Sequence, residues 1–408
     1  MRPTGRLHLG HYFGALQNWL KLQEEYECFF FVADWHALTT HYEDTSSISE
    51  NTLQVAMDWL SVGLDPAKST LFVQSSILEH AELYVLLSMI TPLSRLERVP
   101  TYKEQIENLK DRDLGTYGFL GYPLLQSADI VIYDADFVPV GEDQVPHVEI
   151  TREIVRRFNS HFGFQVKETL FDDGNKPPLK NETILAIVGS DLIPPMGTPY
   201  SQDQKDRIRQ IFLRRAREAG VANFFEWLEP KKLKKFFDAG EILHEPGHLL
   251  TEMPRLPGTD GRRMAKSYGN AIWLSDTPDE IRTKTRNMMT DPQRQRRTDP
   301  GRPEICPVFA YHKLFSQPDT IAQVDRDCRT AAIGCVDCKK LMAENLVKWI
   351  EPVQARRKEF EAHPQQVWDI LDAGRKKAHA TARRTMKRVR NAIFKWDEAK
   401  KERSFSPQ

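Results

Sequence analysis

The sequence predicts an α/β protein: a doubly wound parallel nucleotide-binding domain with an inserted subdomain, followed by an α-helical domain. Three observations predict it. Apolar strand-like runs alternate with helical stretches up to about residue 160, a proline-rich charged stretch then breaks that rhythm, and the chain beyond about Pro278 reads as mostly helical.

The alternation opens with a helical stretch from His11 to Glu25, an apolar strand from Cys28 to Ala33 and a helical stretch from Ile48 to Val62. A strand from Thr70 to Gln74, a helix from Glu79 to Ile90, a strand from Asp136 to Val140 and a helix from Gln144 to Phe158 continue it. Strands alternating with helices in this way build a parallel sheet with crossover helices on its faces. From about Phe164 to His248 the prolines Pro177, Pro178, Pro194, Pro195 and Pro199 interrupt the pattern, and charged helical segments are expected at Gln202 to Ala219 and Pro230 to Ala239. A glycine-rich basic loop runs from Gly258 to Asn270, and helices are expected to include Cys338 to Glu351 and Pro364 to Phe394. The expected domains are therefore 1–163, an insertion of unassigned role at 164–248, a return to the first domain at 249–277, and a helical domain at 278–408.

With 408 residues, 40% of them hydrophobic, the chain can bury two or three cores. It has no apolar run of about 18 residues and no basic, apolar and cleavable leader, so a cytoplasmic protein with no membrane partner is expected. Formal net charge is zero, which excludes a uniformly basic nucleic-acid coat. Charge is nevertheless uneven: Arg375 to Lys401 carries eleven Lys or Arg against two acids, as either a phosphate-facing or a solvated helix would.

Two short motifs carry chemistry. His8-Leu9-Gly10-His11 stands at the mouth of the first helix, where histidines three apart can face a phosphate held by free N–H groups and the helix dipole. Gly10 permits close approach of a nucleotide, although the same string also suits an N-terminal turn with surface histidines. Arg263-Met264-Ala265-Lys266-Ser267 lies in the polar loop, where it is either a mobile cationic clamp for a triphosphate or an ordinary solvated loop. A third pattern is C-x21-C-x6-C-x2-C, formed by Cys306, Cys328, Cys335 and Cys338; Cys28 stands apart in an apolar run. In a reducing compartment four such thiols suit structural Zn²⁺ or a [4Fe–4S] cluster better than disulfides, with free buried thiols a third reading.

In order and placement, the first two motifs resemble the HIGH and KMSKS signatures of class I aminoacyl-tRNA synthetases. The resemblance extends through Thr4 to His11, Asp34-Trp35-His36-Ala37-Leu38-Thr39, Tyr122-Pro123 to Asp129, and Pro139-Val140-Gly141-Glu142-Asp143-Gln144. The Asp34 string and the tail from Gly374 to Arg390 resemble the tryptophanyl subgroup more than the tyrosyl one. The insertion finds no counterpart, and Gln126 and Thr101 stand where Met and Gln are common.

The resemblance implies that L-tryptophan is activated with ATP and Mg²⁺ and passed to tRNA(Trp), the helical domain binding the anticodon and the enzyme working as a homodimer. It implies catalytic roles for His8, His11 and Lys266, with Gly10, Gly141, Asp143, Arg263, Met264, Ala265 and Ser267 around ATP. Asp129 reads the indole N–H, with Tyr122, His36, Gln144, Val138 and Val140 lining the tryptophan pocket. An iron–sulfur cluster at the four cysteines follows from the same resemblance, with zinc as the alternative. Relatives also have a complete strand before the HxGH turn, so the natural product is expected to begin upstream of Met1. A tyrosyl enzyme, an HxGH nucleotidyltransferase and a catalytically idle RNA-binding paralogue are the competing readings.

Overall fold

The structure, a computed structural model, describes residues 1–99, 115–171, 182–195, 198–250 and 256–394, without the side chains of Asp143, Thr183, Arg217 and Ala222. Thr101, Pro177, Pro178 and the basic residues Lys395, Lys400 and Lys401 lie outside the described residues. Two compact units are formed, Met1–Ile77 with Leu250–Ala378 and Leu78–Leu249 with His379–Gln408.

In the first unit, β1 (Cys28–Val32) and β2 (Ser69–Val73) pair in parallel, with Phe30 opposite Leu71. Both strands are β-branched and aromatic, and they bury Phe30, Val32, Leu71 and Phe72 as a two-sided strand must. The crossover between them includes helix Ile48–Val62, which ends at Gly63 with φ 112°, a left-handed C-terminal stop that glycine adopts without a Cβ clash. On the other side of β1 the Met1 amino group donates to the Phe31 carbonyl at 2.7 Å, and the Ala33 N–H donates to the Met1 carbonyl at 2.7 Å.

The first helix is not uniform. It starts as Leu9–His11, widens to a π-helix over Tyr12–Leu16 and returns to α over Gln17–Leu22. Helix Cys335–Ala362 packs on both Ile48–Val62 and Pro278–Arg286. The last helix, Pro364–Phe394, meets β2 at Gly374, where an added Cβ would stand 1.9 Å from the Leu71 carbonyl oxygen. Only glycine allows the two backbones to come so close.

The second unit packs helices Glu79–Ser88 and Val145–Phe162 against Tyr122–Val131, while β3 (Phe137–Val140) pairs with β6 (Gly247–Leu250). Within 164–248, β4 (Phe164–Val166) and β5 (Phe237–Ala239) pair antiparallel over a core that includes Phe164, Ile208, Phe212, Phe224, Leu228 and Phe237. Here one expectation fails. Pro230 to Ala239 is not a helix but a turn with Lys232 at φ 57°, a short 3₁₀ segment Lys234–Phe236 and then β5. Pairing of Phe237 with Val166 and burial of its ring, stacked 5.6 Å from Phe164, outweigh the helical preference of the lysines.

The parallel β1–β2 pair with its crossover helices and the long helices after Pro278 give the α/β class with a helical C-terminal region. No helix among the described residues is long and apolar enough to cross a membrane.

Candidate active site

The His8–His11 turn is held by three sets of bonds. Leu7 and Leu9 exchange backbone hydrogen bonds with Leu274 and Ile272 at 3.0 Å each, which fixes the strand entering the turn. The Leu7 N–H also donates to Asp58 Oδ2 at 2.7 Å, and Arg357 pairs with the other oxygen of that carboxylate. Asp58 and Arg357 are 0% and 2% exposed, and burial pushes the Asp58 carboxyl up to about 6 against the opposing pull of Arg357 and the Leu7 N–H. Arg357 further donates to Glu361 at 2.9 Å and to Gln54. Nothing local in the sequence announces this support, because its partners are 299 residues apart.

Within the turn, the His8 N–H donates to His11 Nδ1 at 3.2 Å, and the two rings lie 3.7 Å apart between centroids. Trp273 meets the His8 ring edge-on at 5.8 Å. Burial, together with the charges of Lys266 and Arg263, lowers His8 to about 4; burial, then His8 and the same two cations, lowers His11 to about 3. Both imidazoles are therefore neutral near pH 7, and each can donate one N–H to a phosphate oxygen. Gly10 lies under His8: a Cβ there would come within 2.9 Å of His8 Nδ1.

The basic loop docks on this turn. Its frame is Asn270, which is 2% exposed; Nδ2 donates to Asp260 at 2.7 Å and to the Arg263 carbonyl at 3.0 Å, while Oδ1 accepts from the Ala265 N–H at 2.9 Å. Met264 Sδ accepts from the Gly10 N–H at 3.4 Å. Lys266 and Ser267 occupy a 3₁₀ turn closed by Gly269 at φ 64°. Lys266 Nζ donates to the carbonyls of Thr4 and Gly5 at 3.0 and 2.9 Å and stands 5.7 Å above the Trp273 ring. Burial lowers its pKa to about 8. The turn thus gathers His8, Gly10, His11, Met264 and Lys266 in the first unit.

Asp129 and Tyr122 share helix Tyr122–Val131 in the second unit. Asp129 is 4% exposed and paired with His80, while the Tyr122 ring lies 5.8 Å from that of His147. Val138 and Val140 lie on β3, and Gly141 leads into the 3₁₀ turn Glu142–Gln144 that contains Gln144 and the Asp143 backbone; the Asp143 side chain lies outside the described residues. His36 belongs to the first unit, on helix Asp34–His41, whose Asp34 accepts from the Ser75 N–H at 3.0 Å. His80 and Tyr133 are absent from the residues singled out by sequence. Tyr133 stands four positions after Asp129, one helical turn on, but nothing local ties His80 to either.

The four cysteines share one neighbourhood of the first unit. Cys306 precedes helix Pro307–Phe315, Cys328 ends helix Pro318–Arg329, and Cys335 and Cys338 open helix Cys335–Ala362. Burial, then the charges of Cys306, Cys328 and Cys335, pushes the Cys338 thiol up to about 12. Arg294 donates to Cys328 Sγ at 3.7 Å, and His312 Nε2 lies 3.5 Å from Cys338 Sγ. Among the described residues no group of three or more His, Cys, Asp or Glu side chains is arranged to hold a metal ion.

Comparison with known proteins decides the family. The family profile for tRNA synthetases class I (W and Y) matches residues 1–174 and 228–351. The tryptophan–tRNA ligase of Ralstonia nicotianae is 47% identical over 400 residues, 96% of each chain. The chain belongs to the class I tryptophanyl-tRNA synthetases. That of Thermotoga maritima is 44% identical over 395 residues, 96% of this chain and 97% of its own. A crystal structure of the Campylobacter jejuni enzyme complexed with ADP and tryptophan covers 96% of this chain and 98% of its own, at 26% identity and a TM-score of 0.72. The activity is accordingly tryptophan–tRNA ligation, with ATP, tryptophan and tRNA(Trp) as reactants.

Proposed function

We propose that tryptophan is activated by the residues gathered on the His8–His11 turn, and the observation that carries this is the docking of Met264 and Lys266 against that turn. ATP enters as its Mg²⁺ complex. His8 and His11, neutral, donate to phosphate oxygens; Gly10 leaves the backbone open to the nucleotide; and Arg263, Ala265 and Ser267 place the loop around the triphosphate. The tryptophan carboxylate attacks the α-phosphorus and pyrophosphate departs, so no protein nucleophile is needed and the protein supplies alignment and charge. Lys266 exchanges the carbonyls of Thr4 and Gly5 for the departing pyrophosphate as the loop closes.

Asp129 accepts the indole N–H, a group that can only donate, with Tyr122, His36, Gln144, Val138 and Val140 around the ring. Gly141, Asp143 and Gln144 hold the adenosine ribose and part of the amino acid. The helical domain takes the anticodon, and the enzyme works as a cytoplasmic homodimer, both carried over from the family resemblance. Pyrophosphate exchange measured with tryptophan and tyrosine in parallel tests the assignment: exchange with tryptophan alone is expected, and exchange with tyrosine alone refutes it.

We infer from the spacing of Cys306, Cys328, Cys335 and Cys338 and from the family resemblance that these four thiols would hold an iron–sulfur cluster, with structural zinc as the alternative. What supports the reading is that all four thiols share one neighbourhood, where the charges of Cys306, Cys328 and Cys335 act on Cys338. Cys306, Cys328 and the Cys335–Cys338 pair would hold it from three different helices of the helical region. Anaerobically purified protein is expected to be brown with about four irons per chain; a single zinc selects the alternative, and neither metal leaves free thiols.

A further inference from the structure

Helices Glu79–Ser88 and Tyr122–Val131 are joined by a buried polar chain of which the proposed tryptophan contact uses Asp129 alone. His80 Nδ1 lies 2.6 Å from Asp129 Oδ1, and His80 Nε2 lies 2.6 Å from the Tyr133 hydroxyl. His80 is 0% exposed, Asp129 4% and Tyr133 9%. The helix that carries His80 is itself anchored, with Glu79 paired to His379 at 2.9 Å and Glu82 paired to Arg390.

The order of protons along the chain follows from chemistry. Burial, then the charges of Asp129 and Glu79, pushes the Tyr133 pKa upward, so the hydroxyl keeps its proton and can donate it to His80 Nε2. A carboxylate can only accept, so His80 carries a hydrogen on Nδ1 and that N–H donates to Asp129. Every donor in the chain points towards the carboxylate. Asp129 is thereby held in one rotamer as an acceptor. A protonated or rotated carboxyl would offer the indole N–H either a second donor or no partner.

We propose that His80, oriented by Tyr133, is a positioning residue for amino-acid selection: it fixes the Asp129 carboxylate as the acceptor that recognises the indole N–H. This rests on the reading of Asp129 as the indole contact.

The test compares kcat/KM for tryptophan with that for benzothienylalanine, in which sulfur replaces the indole N–H. His80→Leu is expected to lower the ratio about tenfold, the loss set by one misoriented charge-assisted hydrogen bond, while the analogue and the KM for ATP hold steady. His80→Asn should restore most of the ratio, since its amide nitrogen falls near the place of Nδ1. Tyr133→Phe should lower it less, and in the unmodified enzyme nitrogen NMR of His80 should report a hydrogen held on Nδ1. The Nδ1 hydrogen and Tyr133→Phe keep the idea testable if His80→Leu does not fold. Equal losses on both substrates in His80→Leu, with Asp129→Asn still selective against tryptophan, would assign His80 a purely structural role and overturn the proposal. Loss of no selectivity in Asp129→Asn would remove the underlying reading, and the proposal with it.

Discussion

Replacing Asp58 by alanine strips two buried donors of one partner. The Leu7 N–H loses its acceptor at 2.7 Å, and Arg357, 2% exposed, keeps Glu361 and Gln54. Removing one member of a buried ion pair costs about 3–5 kcal/mol. A stranded backbone donor adds about 1–3 kcal/mol. Water entering the space left by the carboxylate recovers part of this, so the expected loss of folding stability is about 4 kcal/mol. Asp58→Asn fills the same space and keeps one acceptor, and about half that loss is expected. Since Leu7 directly precedes His8, the KM for ATP should rise in both variants more than the KM for tryptophan. Urea denaturation and pyrophosphate exchange measure the two effects. A loss below about 1 kcal/mol in Asp58→Ala, the range of an exposed pair, would refute the argument.

Gly374→Ala places a Cβ 1.9 Å from the Leu71 carbonyl oxygen. The shift this forces should cost about 2–3 kcal/mol in urea denaturation, even after the roughly 1 kcal/mol that alanine gains in a helix; unchanged stability would show that no such contact exists. His8 and His11, lowered from 6.5 to about 4 and about 3, bind fewer protons folded than unfolded. Stability should therefore fall as pH drops from about 6.5 towards 4, and ATP, whose phosphates raise both pKa values again, should bind with proton uptake in that window. Calorimetry in two buffers of different ionisation enthalpy reads this uptake, and identical heats would contradict it. Lys266→Met should reduce kcat for exchange by about 10²-fold or more with a smaller change in the KM for ATP, because the cation acts on the leaving group; a change confined to KM would count against that role.

Where capping residues punctuate an amphipathic run, the sequence is readable to the residue. Helix Ile48–Val62 stops at Gly63, Gln202–Ala219 starts after Ser201 with Gln204 completing the capping box, and Pro364 opens the last helix. Pro230 to Ala239 misleads because its lysines are good helix formers, while what decides its conformation, the pocket for Phe237, is made by residues on other elements. The same holds at the site. His8, Gly10, His11 and Lys266 are legible because each motif is contiguous and its chemistry local. Asp58, His80 and Arg357 are not, because a buried polar residue declares its purpose only through a partner that the chain brings from afar.

The π-helical turn at Tyr12–Leu16 has a genetic consequence. A π turn corresponds to one residue more than an α-helix would use over the same rise. Losing one residue there would let ordinary α-helical bonding close the turn, so the segments on either side keep their register. Phe13 and Leu16 are buried in the core, which leaves Gly14 and Ala15 as the residues whose loss costs least. The same deletion placed in Gln17–Leu22 has no such slack and turns one side of the helix by about 100° against the other. A single in-frame codon deletion should accordingly be tolerated at Gly14 or Ala15 and not in the α-helical turn that follows.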